Sequence, residues 1–421
     1  MRILPDIVIK ANLIQALPVG QIFKDKQLNE FGCWALAYIP YGGADFGEIV
    51  AIADEVGEGD DSAFYGAWIS AGDRLVAEAE TALADGHQES ARELLLRASC
   101  FYGLSYRPLY GEPVDPRLTA AFQAQIRAFD RGLALFPHPL APLRIPFEGT
   151  TLPAYLVPAI GHENETRPLL ILSNGYDSNV TDLYFASAVA ASRRGYHCLI
   201  FDGPGQGEML ILKDVHLRPD WETVIEAVVD FALTLPNIDP KRIALSGWSL
   251  GGYLAVRAAS GEHRLAACIA DPGLFSMSAG FGKVLSALSL PAGGTTSLGD
   301  LDEDVLTRIS AMIAAHPKLT WSVLRRGYWV QGVRTLRNFL KSVDTFTLDG
   351  RIDLVRCPTL LTMAEDDSLS ESAPEVYEGL RCPKTLIRFT AAEGAGDHCE
   401  MQNRSLLNRR VLDWLDITFK S

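Results

Sequence analysis

The sequence predicts an α/β fold: a mostly parallel β-sheet flanked by helices, preceded by a helical region and interrupted by a helical insertion. Three observations carry this. Six short apolar runs bounded by turn residues follow one another in the chain: PLLILSNG, HCLIFDGPG, RIALSGWS, LAACIADPG, PTLLTMAEDD and TLIRFTAAEG. Helix-like stretches such as LYFASAVAASRRG and WETVIEAVVDFALTL lie between several of them, and such alternation produces parallel strands joined by crossover helices. The length of 421 residues, with 48% hydrophobic and 21% charged residues, suffices for one large core plus an accessory unit and argues against extended disorder.

Taken in order, the first stretch is irregular. It holds FGCWALAYIPYGGADFGEIVAIADEVG and the acidic loop GEGDD, and reads as helices and loops of an N-terminal unit. From Trp68 to Phe136 apolar residues recur at three- and four-residue steps, with Gly86 dividing the pattern, which predicts a helical hairpin. After LFPHPLAPL the period changes, and RIPFEGTTLPAYLVPA reads as two extended segments around a Gly-Thr-Thr turn, a hairpin opening the second domain. The expected division is a mostly helical accessory unit over residues 1–140, covering the substrate, and a catalytic domain over residues 141–421. Within the latter, residues 275–349 contain no obvious strand but two helix-like segments, DLDEDVLTRISAMIAAH and WSVLRRGYWVQGVRTLRNFLKS. An insertion of this length between sheet strands predicts a cap over the active-site end.

Charge and composition exclude several classes. With a net charge of −14 and no dense Lys/Arg block, neither nucleic acid nor an anionic membrane is an expected partner. No apolar run reaches membrane-spanning length, and Pro5, Asp6 and Lys10 interrupt the N-terminal apolar patches before a signal-peptide core can form. The seven cysteines, Cys33, Cys100, Cys198, Cys268, Cys357, Cys382 and Cys399, are scattered without a C-x-x-C pair. They read as core thiols of a reduced, cytoplasmic protein. The eight histidines show no metal-ligand spacing, so no metal is expected.

The chemistry is concentrated in three places. Gly247-Trp248-Ser249-Leu250-Gly251 fits G-x-S-x-G, with RIALS supplying the strand before it and GGYLAVRAAS the helix after it. In that context the serine sits on a sharp strand-to-helix turn, exposed as a nucleophile. A serine hydroxyl needs an adjacent base, itself oriented by a third group. In the order serine, acid, histidine, the acid falls at the end of the strand in LLTMAEDDSLS. Asp367 takes the place of the last residue of a G-x-x-D pattern, with Ala364 for the glycine, and Asp366 is the alternative. The base is His398 in EGAGDHCEMQN, the only histidine beyond that acid. Two backbone N–H groups should receive the developing oxyanion: that of Leu250, and that of Tyr176 in LSNGYDSN, a loop that Asp177 and Ser178 could orient. The glycine-rich FDGPGQGE lacks a Gly-Lys-Ser/Thr ending and reads as a structural turn beside the pocket.

With these pieces in order, the chain resembles the α/β-hydrolases that carry an N-terminal helical domain. The closer likeness is to the group holding dihydroxypseudooxynicotine hydrolase, the fungal polyketide-shortening (yellowish-green pigment) hydrolases and the fermentation–respiration switch proteins. It rests on the helices after Trp68 and on NGYDS, RRGYHCLIFDGPGQGE, GWSLGGYLAVRAA, CPTLL and EGAGDHCEMQNR. MAEDD stands where a glycine is usual in this group, which leaves both aspartates open. The resemblance implies a site between core, cap and N-terminal unit, and a homodimer in several members. It also implies cofactor-independent hydrolysis of a carbon–carbon bond beside a ketone, or of an ester, in a small aromatic or polyketide-like molecule. A general carboxylesterase or acyl-peptidase is the enzymatic alternative, and a regulatory binding module the non-enzymatic one. Phe31, Trp34, Tyr38, Tyr41, Tyr328 and Trp329 are the aromatic residues expected to suit such a substrate.

Overall fold

The computed structural model describes residues 21–278 and 297–420. The sheet opens with a hairpin of β1 (Leu143–Phe147) and β2 (Thr150–Val157). It continues through β3 (Arg167–Ser173), β4 (His197–Phe201), β5 (Ile238–Trp248), β6 (Ala267–Asp271), β7 (Thr359–Ala364) and β8 (Lys384–Phe389). The order is β1-β2-β4-β3-β5-β6-β7-β8. Pairing is antiparallel from β1 to β2 and from β2 to β4, and parallel throughout the rest. Every residue of β4 and β6 is buried, as expected of strands covered on both faces. β8, at the edge, is mostly half-buried. The six apolar runs thus form six parallel strands.

The hairpin turn differs from the expected one. Phe147 pairs with Thr150, so the turn is Glu148-Gly149, with φ of 42° and 82°. Two consecutive positive φ values are what a two-residue hairpin turn requires, and the β-branched Thr150 and Thr151 join the strand instead.

The N-terminal region holds α1 (Lys26–Gly32), a 3₁₀ segment (Cys33–Tyr41), α2 (Phe46–Val56), α3 (Asp61–Ala84), α4 (Gln88–Ser105) and α5 (Pro116–Ala134). The expected hairpin is therefore three long helices. The first starts at Asp61 because Asp60, in the acidic loop, accepts hydrogen bonds from the N–H groups of Ser62 and Ala63 at 2.9 and 3.1 Å. Gly86, at φ 82°, makes the break between α3 and α4. The third starts where Asp115 caps and Pro116 fills the first helical position. Polar groups fasten this region to the sheet. Tyr106 Oη donates to Gln125 Oε1 at 2.6 Å, Gln125 Nε2 donates to Asn179 Oδ1 at 3.0 Å, and Asn179 Nδ2 donates back to Tyr106 at 3.1 Å. Arg107 pairs with Asp182 at 3.1 Å, and Tyr38 donates to the same carboxylate at 2.8 Å. All these residues are buried, so the loop after β3 is held from above by the N-terminal helices.

The sheet is covered by α6 (Trp221–Ala232) and α7 (Leu250–Ala259), and by the C-terminal helix described below. Between β6 and β7 the described residues hold α8 (Glu303–Ala315), α9 (Pro317–Leu319 continuing through a wide π-type stretch, Thr320–Gly327, to Tyr328–Gln331) and α10 (Leu336–Asp344). They bury a small core of their own around Leu306, Ile309, Leu340 and Val343. The segment read as one helix from Trp321 is two, because Gly332 adopts φ 64° and ends α9. Ser276 and Thr347 bridge the base of the insertion. The expected cap residues 279–296 lie outside the described residues. The C-terminal helix, α11 (Arg404–Thr418), closes the fold. No helix among the described residues is long and apolar enough to cross a membrane. All seven cysteines are free thiols, six of them buried.

Candidate active site

Parallel α/β sheets gather their chemistry beyond the carboxyl ends of the strands, and β3, β5 and β7 all end at one place. β5 stops at Trp248 and α7 begins at Leu250, so Ser249 alone makes the turn, at φ 58° and ψ −130°. That conformation is sparsely populated by any residue with a side chain and stores about 1–3 kcal/mol. Close packing imposes it. A Cβ on Gly247 would lie 1.9 Å from Gly251 O, and one on Gly252 would lie 2.0 Å from Pro272 O.

His398, in the loop after β8, brings Nε2 within 2.9 Å of Ser249 Oγ and Nδ1 within 2.8 Å of Asp367 Oδ2. With Nδ1–H donating to the carboxylate, Nε2 is left to accept the serine proton. Asp367 follows β7, is 3% exposed, and takes the Leu369 N–H on its other oxygen at 3.0 Å. Asp366 is exposed, and its backbone N–H donates to Gly396 O. Of the two acids, only Asp367 faces the histidine. Burial by itself lowers the His398 pKa, but the charge and hydrogen bond of Asp367 outweigh it, so the imidazole is held above its ordinary 6.5.

The loop after β3 passes directly over Ser249. Ser173 is level with Gly247 in the sheet, and a Cβ on Gly175 would lie 2.7 Å from Ser249 Cβ and 2.8 Å from Trp248 O. Only glycine allows this approach. It sets the Tyr176 backbone beside the first turn of α7, where the Leu250 N–H has no intrahelical partner. Ser178 Oγ accepts from Gly175 N–H at 3.4 Å and from Trp248 Nε1 at 3.1 Å. The glycine-rich turn after β4, expected as a structural turn beside the pocket, supports this loop through Gln206 and Asp202. Gln206 Nε2 donates to Asn174 O and Gly175 O at 2.9 and 3.1 Å. Asp202, whose pKa burial pushes up to about 8, accepts from Asn174 Nδ2 and Glu208 N–H, each at 3.1 Å.

A further group, unassigned from sequence, lies behind His398. Cys399 and Glu400 both have left-handed backbones, at φ 56° and 48°. Arg404, at the start of α11, donates to Cys399 O and to Asp271 Oδ2, both at 2.7 Å, and Thr362 Oγ1 donates to Asp271 Oδ1 at 2.8 Å. Glu400 is buried against them; burial first, and then the Asp271 charge, drive its pKa well up. Arg404 also lies 5.1 Å over the Trp248 ring.

Above the serine is a cavity of about 150 Å³. Phe31 and Trp34 come from the N-terminal region, Trp321, Arg326 and Phe339 from the insertion, and Tyr176 and Trp248 from the strand ends. Of the six aromatic residues expected to suit a substrate, only Phe31 and Trp34 line this cavity. Tyr38 is buried on Asp182, Tyr41 accepts from Asn408, Tyr328 packs on Phe339, and Trp329 packs on Tyr110.

Comparison with known proteins agrees with this architecture. The profile described as "Alpha/beta hydrolase family" matches residues 170–407. "Hydrolase LUC6" of a Fusarium species is 32% identical over 415 residues, 95% of this chain and 98% of its own. "20-hydroxy-prefusarin hydrolase FUS2" of Gibberella moniliformis is 32% identical over 402 residues, 91% of this chain and 94% of its own. Among solved structures, that of 2,6-dihydroxy-pseudo-oxynicotine hydrolase superposes with a TM-score of 0.70 at 24% identity, covering 90% of this chain and 94% of the other. A sheet that delivers Ser249, Asp367 and His398 to one point is the architecture of a hydrolase. The chain belongs to the alpha/beta hydrolase family.

Proposed function

We propose that the protein is a serine hydrolase that cleaves a carbon–carbon bond beside a ketone, or an ester bond, in a small aromatic or polyketide-like molecule. The observation carrying this reading is the hydrogen-bond chain from Asp367 through His398 to Ser249 at the floor of an aromatic-walled cavity. As Ser249 Oγ adds to the carbonyl carbon, His398 Nε2 takes its proton, and the oxyanion is received by the N–H groups of Leu250 and Tyr176. When the carbonyl re-forms, the carbon or oxygen leaving group departs with the bonding pair and takes the proton from Nε2. Water, deprotonated by the same nitrogen, then adds to the acyl-serine; collapse frees a carboxylic acid and restores the serine. Residues 1–140 and 275–349 serve as covering units, and the sheet carries the chemistry. The relative named for 20-hydroxy-prefusarin supports a small-molecule substrate.

The test is intact mass after exposure to a fluorophosphonate. One covalent adduct, absent from Ser249→Ala, is expected. If neither a bulky nor a small fluorophosphonate labels the folded chain, the reading fails.

Two further results are expected. Because neutral His398 is the reactive form and Asp367 holds its pKa above 6.5, kcat/KM should rise with pH through an apparent value above 6.5. Asp367→Asn, removing the charge, should move that rise to lower pH. Gly175→Ala, forced against Ser249 Cβ, should displace the Tyr176 N–H and lower kcat/KM by about 10²-fold or more, measured on a chromogenic ester with circular dichroism as the control for folding.

A further inference from the structure

Two buried arginines line the cavity without taking part in the chemistry above. Arg326 is 8% exposed and Arg107 6%. The Arg326 guanidinium is stacked between two rings, 4.7 Å over Tyr176 and 4.9 Å over Trp321, and its Nη1 pairs with Asp177. Arg107 lies 5.7 Å over the Trp34 ring, and its Nη2 pairs with Asp182 at 3.1 Å. The Trp321 indole N–H donates to Arg107 O at 3.1 Å and ties the two together. A guanidinium has five N–H donors; the Nε of each arginine is buried without an acceptor, and Asp177 Oδ1 is buried without a donor. Leaving buried donors unmet is costly, so the arrangement is built for acceptor atoms that arrive with a ligand.

Charge narrows the ligand. Asp177 and Asp182 each balance one arginine, and Lys318 is balanced by Glu30 at 2.8 Å. The upper wall is therefore rich in donors but close to neutral in sum. A carboxylate entering it would give up its hydration shell and meet guanidiniums already neutralised, whereas a keto or enol oxygen gives up less and still accepts the free N–H groups. Ring faces on Phe31, Trp34, Trp248 and Trp321 suit a flat conjugated body.

We propose that Arg326 and Arg107 form a recognition site for keto or enol oxygens of an uncharged, planar conjugated substrate, in the wall of the cavity above Ser249. The inference rests on the serine-hydrolase reading of this cavity and names the substrate class. Since Trp34, Trp248 and Trp321 line the cavity, binding can be followed by tryptophan fluorescence in the full-length Ser249→Ala chain, where turnover cannot consume the ligand. The probes are benzoylacetone, its hydrocarbon counterpart butylbenzene, and the carboxylate 3-benzoylpropanoate. Benzoylacetone should bind at least about tenfold more tightly than either of the others, and Arg326→Gln and Arg326→Lys should each erase most of that preference. Lysine keeps the charge but lacks the fork, so its failure to rescue separates donor geometry from charge. Equal binding of diketone and hydrocarbon, tighter binding of the carboxylate, or a preference that survives both substitutions would overturn the proposal. Fluorophosphonate labelling of the wild type reads the hydrolase assignment separately, so either can fail alone.

Discussion

Ser249→Ala should abolish the fluorophosphonate adduct and lower turnover by about 10⁴- to 10⁶-fold. The large figure follows from geometry. Ser249 Oγ is 2.9 Å from His398 Nε2 and lies under the loop that carries the Tyr176 N–H, and alanine has no hydroxyl to take its place. The same experiment separates the two aspartates. Asp367→Asn replaces the acceptor of the His398 Nδ1 proton with an amide that permits the wrong tautomer, and should cost about 10⁴-fold. Asp366→Asn alters an exposed side chain and should change turnover by no more than about twofold. A larger loss in Asp366→Asn than in Asp367→Asn, read as kcat/KM on one ester, would contradict this assignment.

Arg404→Met should destabilise the fold by about 3–5 kcal/mol, the range for breaking a buried charge cluster by removing one partner. Arg404 is 4% exposed and is the cation facing Asp271 and the Cys399 carbonyl. Without it the Asp271 charge stays buried, and the left-handed backbone at Cys399 and Glu400 loses its tether. Urea unfolding at neutral pH measures the loss. Glu400→Gln should behave differently, because Glu400 holds its proton far above the ordinary 4.5 and glutamine imitates the protonated acid. The sign is fixed by the raised pKa. The folded state binds this proton more tightly than the unfolded chain, so the contribution is complete below pH 4.5 and is lost as pH rises toward the folded value. The wild type should therefore lose stability with rising pH over that window, and Glu400→Gln should lose less.

The strands were legible because buried parallel strands need continuous apolar runs, and turn residues mark their ends. The hairpin turn lies one residue earlier than the Gly-Thr-Thr pattern suggests, since Gly149 is visible in sequence but the positive φ of Glu148 is not. The family resemblance was legible for a different reason: G-x-S-x-G, the acid after β7 and the histidine after β8 keep their order along the chain wherever they meet in space. The cavity wall was not. Helical period shows that Trp321, Tyr328 and Trp329 share a helix, but not which of them faces the serine, and a π-type stretch shifts the face within that helix. Arg107 and Arg326 are ordinary surface residues by type, and Trp34 and Asp182 on the first, and Tyr176 and Asp177 on the second, all distant in sequence, help to bury them. The Asp271–Arg404–Glu400 cluster joins residues more than a hundred positions apart.

The backbone at Ser249 bears on how the chain has been maintained. At φ 58° and ψ −130° glycine would sit without strain, so mutational drift acting on folding alone has an easy exit from serine. A lineage that had lost its chemistry and kept only its shape would gain stability by taking that exit. This chain carries a side chain there against the preference of the fold, as the proposed nucleophilic role of Ser249 requires.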